Sequence, residues 1–153
     1  MTPPESRGAA GHHRALEALY AAAPINGLLR SCLQIIGEGH ARIEAQVDPA
    51  QFHAAGALHG TVYFKLLDDA AFYAVNSLVT DRFVLTTQFN LLFTRPLRSG
   101  PLVAEGRWVS GRRRVYVAEA RLLDGAGEEA ARGTGTFMRS QIALSSLPGY
   151  RTA

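Results

Sequence analysis

Apolar positions fill nearly every face of one long segment near the middle of the chain. Residues 62–77 contain neither proline nor glycine, and apolar side chains recur on almost all sides of a 3.6-residue helix. Such a helix is buried on most sides, so the rest of the chain must wrap around it. Gly56, His59 and Gly60 precede the segment and predict a turn from which the helix begins.

Strand-like patterns lie on both sides of this helix. Residues 33–36 begin an extended segment, and residues 40–47 alternate polar with apolar side chains, which predicts a strand with one wet face. After the helix, four runs rich in β-branched and aromatic residues are separated by glycine- and proline-marked turns. These runs are residues 82–94, 102–110, 113–123 and 129–142. Their short connections predict that the four strands pair as an antiparallel meander.

A shorter helix precedes the strands. Apolar residues with helical spacing predict a helix at about residues 13–22, which Pro24 ends because the residue before a proline avoids the helical region. The predicted order is helix, strand, long helix and four strands. We therefore expect an α+β domain in which one antiparallel sheet curls around the helix at residues 61–77.

Composition and length indicate a single soluble globular domain. The chain has 153 residues, of which 47% are apolar and 19% charged. We predict a domain at residues 12–142, a loose N-terminus at 1–11 and a C-terminal tail at 143–153. The start of the chain is polar, and no apolar run reaches membrane-spanning length, which predicts a cytoplasmic protein without membrane association.

The charged and sulfur-containing residues exclude some classes of function. Fifteen of the sixteen basic residues are arginine, which favours planar contacts with phosphate or carboxylate groups. The basic run at residues 112–114 is too short, and too poor in aromatic neighbours, for a nucleic-acid surface. Cys32 is the only cysteine, so an intramolecular disulfide and a cysteine-rich metal site are excluded. We expect no metal ion and no cofactor.

Two carboxylates lie in the middle of the apolar helix. An ionised side chain there is costly unless it has a partner, water or a chemical role. Lys65 lies four residues before Asp69, the spacing at which helical side chains meet, so we predict an ion pair between them. Asp68 has no such partner within the helix. It is either a catalytic group or a buried aspartate that accepts hydrogen bonds from strand hydroxyls such as those of Thr86 or Thr87.

A series of motifs, in a fixed order, resembles a known protein family. The motifs are Gly56-x-x-His59-Gly60-Thr61, Asp68 nine residues after the histidine, Thr86-Thr87-Gln88-Phe89-Asn90, Thr94-Arg95-Pro96, and the segment from Glu119 to Gly125. Over residues 33–138 they resemble the hot-dog-fold acyl-CoA thioesterases of the 4-hydroxybenzoyl-CoA thioesterase superfamily. The phenylacetic-acid-degradation (PaaI-like) branch is the most similar. Its signature is a histidine-glycine-glycine turn followed by an acidic residue on the central helix.

The resemblance implies a sheet wrapped around the helix, a dimer or dimer of dimers with composite active sites, and hydrolysis of acyl-CoA thioesters. Two residues depart from the family pattern. Thr61 replaces the second glycine, and His53 stands where many members carry an asparagine that touches the thioester. His53 either replaces the hydrogen bond of that asparagine or marks a changed substrate.

The chemistry of thioester hydrolysis matches these residues. It needs an attacking water or carboxylate, and hydrogen-bond donors aimed at the carbonyl oxygen. Backbone N–H groups of Gly60 and Thr61 lie at the positive end of the helix dipole and can supply the donors. Asp68 supplies the carboxylate, as nucleophile or as general base. It lies about 10 Å along the helix from the donors, so one subunit does not bring both onto one carbonyl. The two-fold dimer that the resemblance implies would set Asp68 of one subunit opposite the turn of the other.

The remaining candidates have a structural alternative beside the functional one. His59 caps the helix or orients the turn, or else acts as a base. His53 is a loop residue or a substrate contact, and Thr86 and Asn90 are strand residues or substrate contacts. Arg95 and Arg98 flank Pro96, and Arg112 and Arg113 lie in a later turn. These four arginines are candidates for binding the phosphates of coenzyme A.

Two other functions remain open on the sequence. An acyl-CoA-binding protein would keep the pocket without turnover, which the departures at Thr61 and His53 would permit. A hydratase or dehydratase would need a histidine–carboxylate pair, for which His53 and Asp68 are conceivable partners. Thiol release from acyl-CoA distinguishes an enzyme from a binder, and the absorbance of an enoyl-CoA distinguishes a hydratase from a hydrolase.

Overall fold

The computed structural model describes residues 4–151 and confirms the predicted order of a long helix among antiparallel strands. Its helices are α1 (Pro4–Ala22), α2 (Pro24–Leu29) and α3 (Gly60–Asn76). Its strands are β1 (Cys32–Gly37), β2 (His40–Gln46), β3 (Arg82–Phe93), β4 (Pro101–Ser110), β5 (Val115–Leu123) and β6 (Glu129–Ala143). Single 3₁₀ turns lie at Pro49–Gln51 and Leu144–Ser146.

The six strands form one antiparallel sheet in the order β1-β2-β4-β5-β6-β3. The predicted meander is correct for β4, β5 and β6 and wrong for β3. Instead of pairing with β4, β3 pairs with β6 over almost its whole length, from Arg82 opposite Ala143 to Phe93 opposite Ala131. The seven residues between β3 and β4 do not form a hairpin. They run past the turn before α3 instead, where the Leu97 carbonyl accepts a hydrogen bond from the backbone N–H of Leu58. As a result, β3 lies at an edge of the sheet.

Helix α3 packs on the concave face of the sheet and forms the centre of the core. Leu66, Leu67 and Val75 of α3 are fully buried. Gly106 of β4 permits the close approach, since a Cβ atom there would lie 2.0 Å from the Ala70 carbonyl oxygen. The position of α3 on the sheet thus depends on the close contact between Gly106 and Ala70. The turn that begins α3 is positioned with it.

The N-terminal region is more helical than the sequence indicates. Helix α1 begins at Pro4 rather than near residue 13, so residues 4–11, which we predicted to be loose, form its first turns. Residues 1–3 lie outside the described residues. Pro24 ends α1 as predicted, but it also occupies the first turn of α2, where its missing N–H has no intrahelical partner to lose.

The predicted C-terminal tail packs on the domain. Leu144 is fully buried, and the Tyr150 hydroxyl lies 2.7 Å from His12 Nδ1. The other nitrogen of that ring, Nε2, donates to the Asn76 carbonyl (2.8 Å). Nδ1 of the neutral ring therefore accepts a hydrogen bond from the Tyr150 hydroxyl. This contact joins both termini of the domain to the end of α3. Residues 152–153 are outside the described range.

Candidate active site

The turn before α3 is held by the side chain of His59. His59 is the N-cap, and its Nδ1 accepts a hydrogen bond from the backbone N–H of Thr61 (3.0 Å) and lies 2.9 Å from the Thr61 hydroxyl. The capping role considered for His59 is therefore observed. This cap uses the Thr61 N–H, which is one of the two backbone donors that the sequence predicts for the substrate. Gly60 N–H makes no hydrogen bond within residues 4–151, and it is the donor that remains for a ligand.

Asp68 is half-buried, in the middle of α3, with one oxygen bonded to a strand. The Thr86 hydroxyl donates to Asp68 Oδ1 at 2.9 Å, which is the contact with a strand hydroxyl that we considered. Burial raises the pKa of Asp68 to about 6, although the Thr86 hydrogen bond acts in the opposite direction. A carboxylate held by one hydrogen bond, with a raised pKa and partial exposure, is suited to accept a proton near neutral pH.

The predicted ion pair between Lys65 and Asp69 is present. Lys65 Nζ also donates to the side-chain oxygen of Asn26 on α2, at 2.6 Å. Asn26 is buried, and its amide group donates to the Tyr20 carbonyl (2.7 Å). Asp69 is thus held by a local network, whereas Asp68 beside it is not a member of that network.

Gly60 and Asp68 do not meet within one chain. They are eight residues apart on one helix, which corresponds to about 12 Å at 1.5 Å per residue. Thr61, Phe64 and Asp68 form a partly exposed stripe that runs between them along α3. Strand β3 covers this stripe only in part, through the contacts of Phe64 and Asp68 with it. Its exposed side remains open to a second molecule.

A cavity of about 440 Å³ lies at the N-terminal end of α3. It is lined by His53, Leu58, Gly60, Tyr63, Phe93, Thr94, Arg95 and Pro96. Three predicted site residues, His53, Gly60 and Arg95, therefore come together here. His53 Nδ1 accepts a hydrogen bond from the backbone N–H of Ala55 (3.0 Å), so the neutral ring carries its proton on Nε2. His53 lies in the loop before α3, whereas Asp68 lies in the middle of that helix, and the two side chains form no hydrogen bond or ion pair within residues 4–151.

The arginines divide into two groups that are far apart. Arg95 bonds Asp124 (2.7 Å) and the carbonyls of residues 128 and 129, so its side chain fixes the β5–β6 hairpin. Arg98 is exposed and makes no side-chain bond within residues 4–151. Arg112, at the opposite end of the sheet, stacks 4.4 Å from the Trp108 ring.

The distance between these groups follows from β6. The backbone N–H of Arg95 bonds Ala130, whereas the carbonyl of Arg114 bonds Arg139, nine residues further along that strand. This separation is about 30 Å for an extended chain. The two arginine groups therefore cannot reach the same phosphate group within a single subunit. Binding of coenzyme A phosphates by Arg95, Arg98, Arg112 or Arg113 stays a prediction.

Asn90 lies on the other face of the sheet from Asp68. Its neighbour Phe89 stacks against Phe64 of α3, with ring centroids 5.7 Å apart, so Phe89 faces the helix. Because successive strand residues point to opposite faces, Asn90 points away from α3. It is exposed, opposite Thr134 of β6. A contact of Asn90 with substrate stays a prediction and does not involve this cavity.

Phe93 is a site residue that the sequence reasoning missed. Its ring atoms lie 3.3 Å from the position that a Cβ atom on Gly60 would take, and the ring stacks edge-on against Tyr63 at 5.4 Å. As the last residue of an apolar strand, Phe93 has no local signal of a ligand site. Only the packing of β3 against the start of α3 brings it there.

A family profile described as the thioesterase superfamily matches residues 55–131, which is half of the chain. The matched segment contains Gly60, Asp68 and the whole of α3. The chain belongs to the thioesterase superfamily. It is thus a hydrolase of thioester bonds, and the predicted family is confirmed at this level.

Similar proteins agree with this assignment. A sequence relative from Saccharolobus solfataricus, named "Putative esterase", is 29% identical over 71% of this chain and 76% of its own length. The structure of the PaaI protein from the phenylacetic acid degradation operon of E. coli superposes with a TM-score of 0.81 at 20% identity, over 88% of this chain and 97% of that chain. A mutant thioesterase from Pseudomonas aeruginosa gives a TM-score of 0.73 at 21% identity, over 82% and 91%.

The superposed structures show that the thioesterase has the predicted hot-dog fold, with an additional N-terminal helix. In this fold the sheet surrounds α3 and leaves its N-terminus and the stripe to Asp68 accessible. No helix of the described residues is long and apolar enough to cross a membrane.

The raised pKa of Asp68 gives a pH prediction for this thioesterase. A base or nucleophile acts in its ionised form, so kcat/KM should fall as the pH decreases through about 6, by tenfold for each unit below it. Rates of thiol release from an acyl-CoA between pH 4.5 and 8 measure this limb. Circular dichroism at each pH controls for unfolding. A rate that stays constant down to pH 4.5 in folded protein contradicts an ionised Asp68 as the reactive group.

Proposed function

We propose that this thioesterase hydrolyses acyl-CoA to a free acid and coenzyme A, in composite sites formed by two subunits. The observation that carries the proposal is the arrangement on α3. Gly60, whose N–H makes no hydrogen bond within residues 4–151, lines a cavity at one end of the helix. The half-buried Asp68 lies about two turns away along the same helix. One chain holds both chemical parts without bringing them onto one carbonyl group.

The edge strand β3 supports a dimer that completes the site. Among residues 4–151, β3 pairs only with β6, so its other backbone edge is free, and its last two side chains, Leu92 and Phe93, are apolar and exposed. Such an edge favours pairing with a second copy. Asp68 bonds Thr86 near the start of β3, and Gly60 lies beside Phe93 at its end. Antiparallel pairing across a two-fold axis therefore moves Asp68 of the partner subunit toward Gly60.

The mechanism uses charge stabilisation at the carbonyl oxygen. The thioester oxygen accepts a hydrogen bond from Gly60 N–H, at the positive end of the α3 dipole, while negative charge develops on it. His53 Nε2–H lines the same cavity and supplies a second donor. Asp68 of the partner subunit either attacks the carbonyl carbon or removes a proton from the attacking water. Collapse of the tetrahedral intermediate breaks the C–S bond and releases the thiolate of coenzyme A. If water attacks, this step gives the free acid directly; if Asp68 attacks, it leaves an acyl-aspartyl anhydride, which water then hydrolyses to the free acid and the Asp68 carboxylate.

The two arginine groups fit the same arrangement. In an antiparallel dimer, the end of the sheet that carries Arg112 and Arg113 in one subunit comes to the end that carries Arg98 in the other. Phosphate groups of coenzyme A can then bind arginines of both subunits. Arg95 stays in its ion pair with Asp124 and positions the cavity wall.

Mixing two inactive variants tests the composite site. Asp68→Asn removes the carboxylate, and Gly60→Pro removes the N–H donor while leaving a residue suited to the first turn of a helix. Subunits unfolded together and refolded should form heterodimers in which one of the two sites is intact. Random pairing makes about half of the dimers mixed, so about a quarter of the parental thiol release should return.

Three outcomes separate the alternatives. Return of activity on mixing supports the dimeric site. Mixed protein that stays inactive, or a parental protein that is monomeric by light scattering at micromolar concentration, contradicts it. A parental protein that binds acyl-CoA but releases no thiol contradicts hydrolysis and indicates an acyl-CoA-binding protein.

A further inference from the structure

The ring of Phe93 lies beside Gly60, in the cavity where the proposed carbonyl group binds. Its Cε1 and Cζ atoms lie 3.3 Å from the position of a Cβ atom on Gly60, the residue with the free N–H. A carbonyl oxygen bonded to that N–H brings its acyl group into the space beside this ring. We infer that Phe93 is a specificity-determining residue that limits the bulk of the acyl group next to the thioester carbonyl. This inference rests on the proposed function.

The cavity around Phe93 suits an uncharged, apolar group. Leu58, Tyr63, Phe93 and Pro96 supply its apolar walls. The polar groups of two lining residues, Tyr63 and Arg95, are used within the protein. The Tyr63 hydroxyl donates to the Arg95 carbonyl (2.8 Å), and the Arg95 guanidinium is bonded to Asp124. The one arginine in the lining is already paired, so a carboxylate on the acyl group would find no unpaired guanidinium among the lining residues.

Phe93 differs from the other apolar lining residues in its surroundings. Leu58 and Tyr63 are each 3% exposed and belong to the core, whereas Phe93 is 54% exposed. Edge-on stacking against Tyr63 holds one side of the ring, and the other side is open. Truncation of Phe93 should therefore enlarge the cavity at the carbonyl without disturbing the core, which is unlike the effect expected at Leu58 or Tyr63.

Two ligands of different bulk test the inference by binding alone. Dethia analogues of acetyl-CoA and benzoyl-CoA, in which a methylene group replaces the thioester sulfur, keep the carbonyl and cannot be hydrolysed. In Phe93→Ala, the affinity for the benzoyl analogue relative to the acetyl analogue should rise at least about tenfold over the parental ratio, the scale of a change in pocket size. Phe93→Leu should change the ratio less, in the same direction, and serves if Phe93→Ala fails to fold. Ile36→Ala, exposed on the far edge strand β1, is the control and should leave the ratio unchanged.

The same variants are then compared in kcat/KM for acetyl-CoA and benzoyl-CoA, so that the two proposals can fail separately. The inference is overturned if both Phe93 variants have the same ratio of benzoyl to acetyl affinity as the parental protein. It is also overturned if Ile36→Ala changes this ratio as much as the Phe93 variants do. If the ratio changes as expected but no protein releases thiol, the proposed hydrolysis is wrong and the role of Phe93 in the pocket stands. If thiol is released and neither ratio changes, only the inference about Phe93 is wrong.

Discussion

Replacement of Asp68 by asparagine should lower kcat for acyl-CoA hydrolysis by at least about a hundredfold, the scale for a positioned general base. Asparagine has nearly the same shape, and its side-chain oxygen can still accept the hydrogen bond from Thr86. Any decrease in kcat then results from the loss of the negative charge and of the group that accepts a proton, and not from a change in packing. Binding of a non-hydrolysable analogue should survive, which isothermal titration calorimetry can measure.

The stability of this variant gives an independent check. Because burial raises the pKa of Asp68, the folded protein holds its proton up to a higher pH than the unfolded chain does. Ionisation of Asp68 therefore reduces stability as the pH rises from about 4 to about 6, and the cost remains at neutral pH. Asp68→Asn should have a melting temperature at or above that of the parent at pH 7.

A matched control for this change is Asp81→Asn, an exposed aspartate that pairs with Arg139 outside the cavity. Its kcat should remain close to the parental value. If Asp68→Asn unfolds the protein, the structural alternative for a hydrogen-bonded buried aspartate is supported. If it folds and hydrolyses acyl-CoA at the parental rate, Asp68 is not the catalytic carboxylate.

Replacement of Gly60 by proline should lower kcat by about 10²–10³-fold, the range for loss of one donor to an oxyanion. Gly60 is the first residue of α3, and the preceding His59 has an extended backbone (φ −66°, ψ 142°), which a following proline favours. The helix can therefore keep its start while its free N–H is removed.

Gly60→Ala is the matched control, because it adds the same Cβ atom beside Phe93 and retains the N–H group. The ratio of kcat between the alanine and proline variants isolates the donor from the steric change. Stopped-flow or steady-state thiol detection with saturating acyl-CoA measures both variants. Equal kcat values in folded protein contradict a role for Gly60 N–H in stabilising the developing charge.

The sequence alone determined the features that depend on neighbours along the chain. The period of apolar residues defined α3 and strands β2 to β6 to within a few residues, because burial of one face acts on every second or every third to fourth residue. The residues of β1 were predicted only as an extended segment, and the structure makes them a sixth, separate strand. Spacing of four residues gave the Lys65–Asp69 ion pair, and the turn residues gave the cap by His59. Each of these requires only contacts within one helical turn or one hairpin.

The tertiary structure decided the features that join distant segments. It placed β3 at the sheet edge beside β6, brought Thr86 to Asp68 and Phe93 to Gly60, and separated the two arginine groups. Strand order follows from which pairing best buries α3, a sum over the whole core that no local pattern contains. Leu92 and Phe93 are both apolar and exposed, and only the packing of Phe93 beside Gly60 distinguishes the two. This is why Asp68 could be proposed as the carboxylate from its motif, whereas the cavity wall at Phe93 could not be predicted.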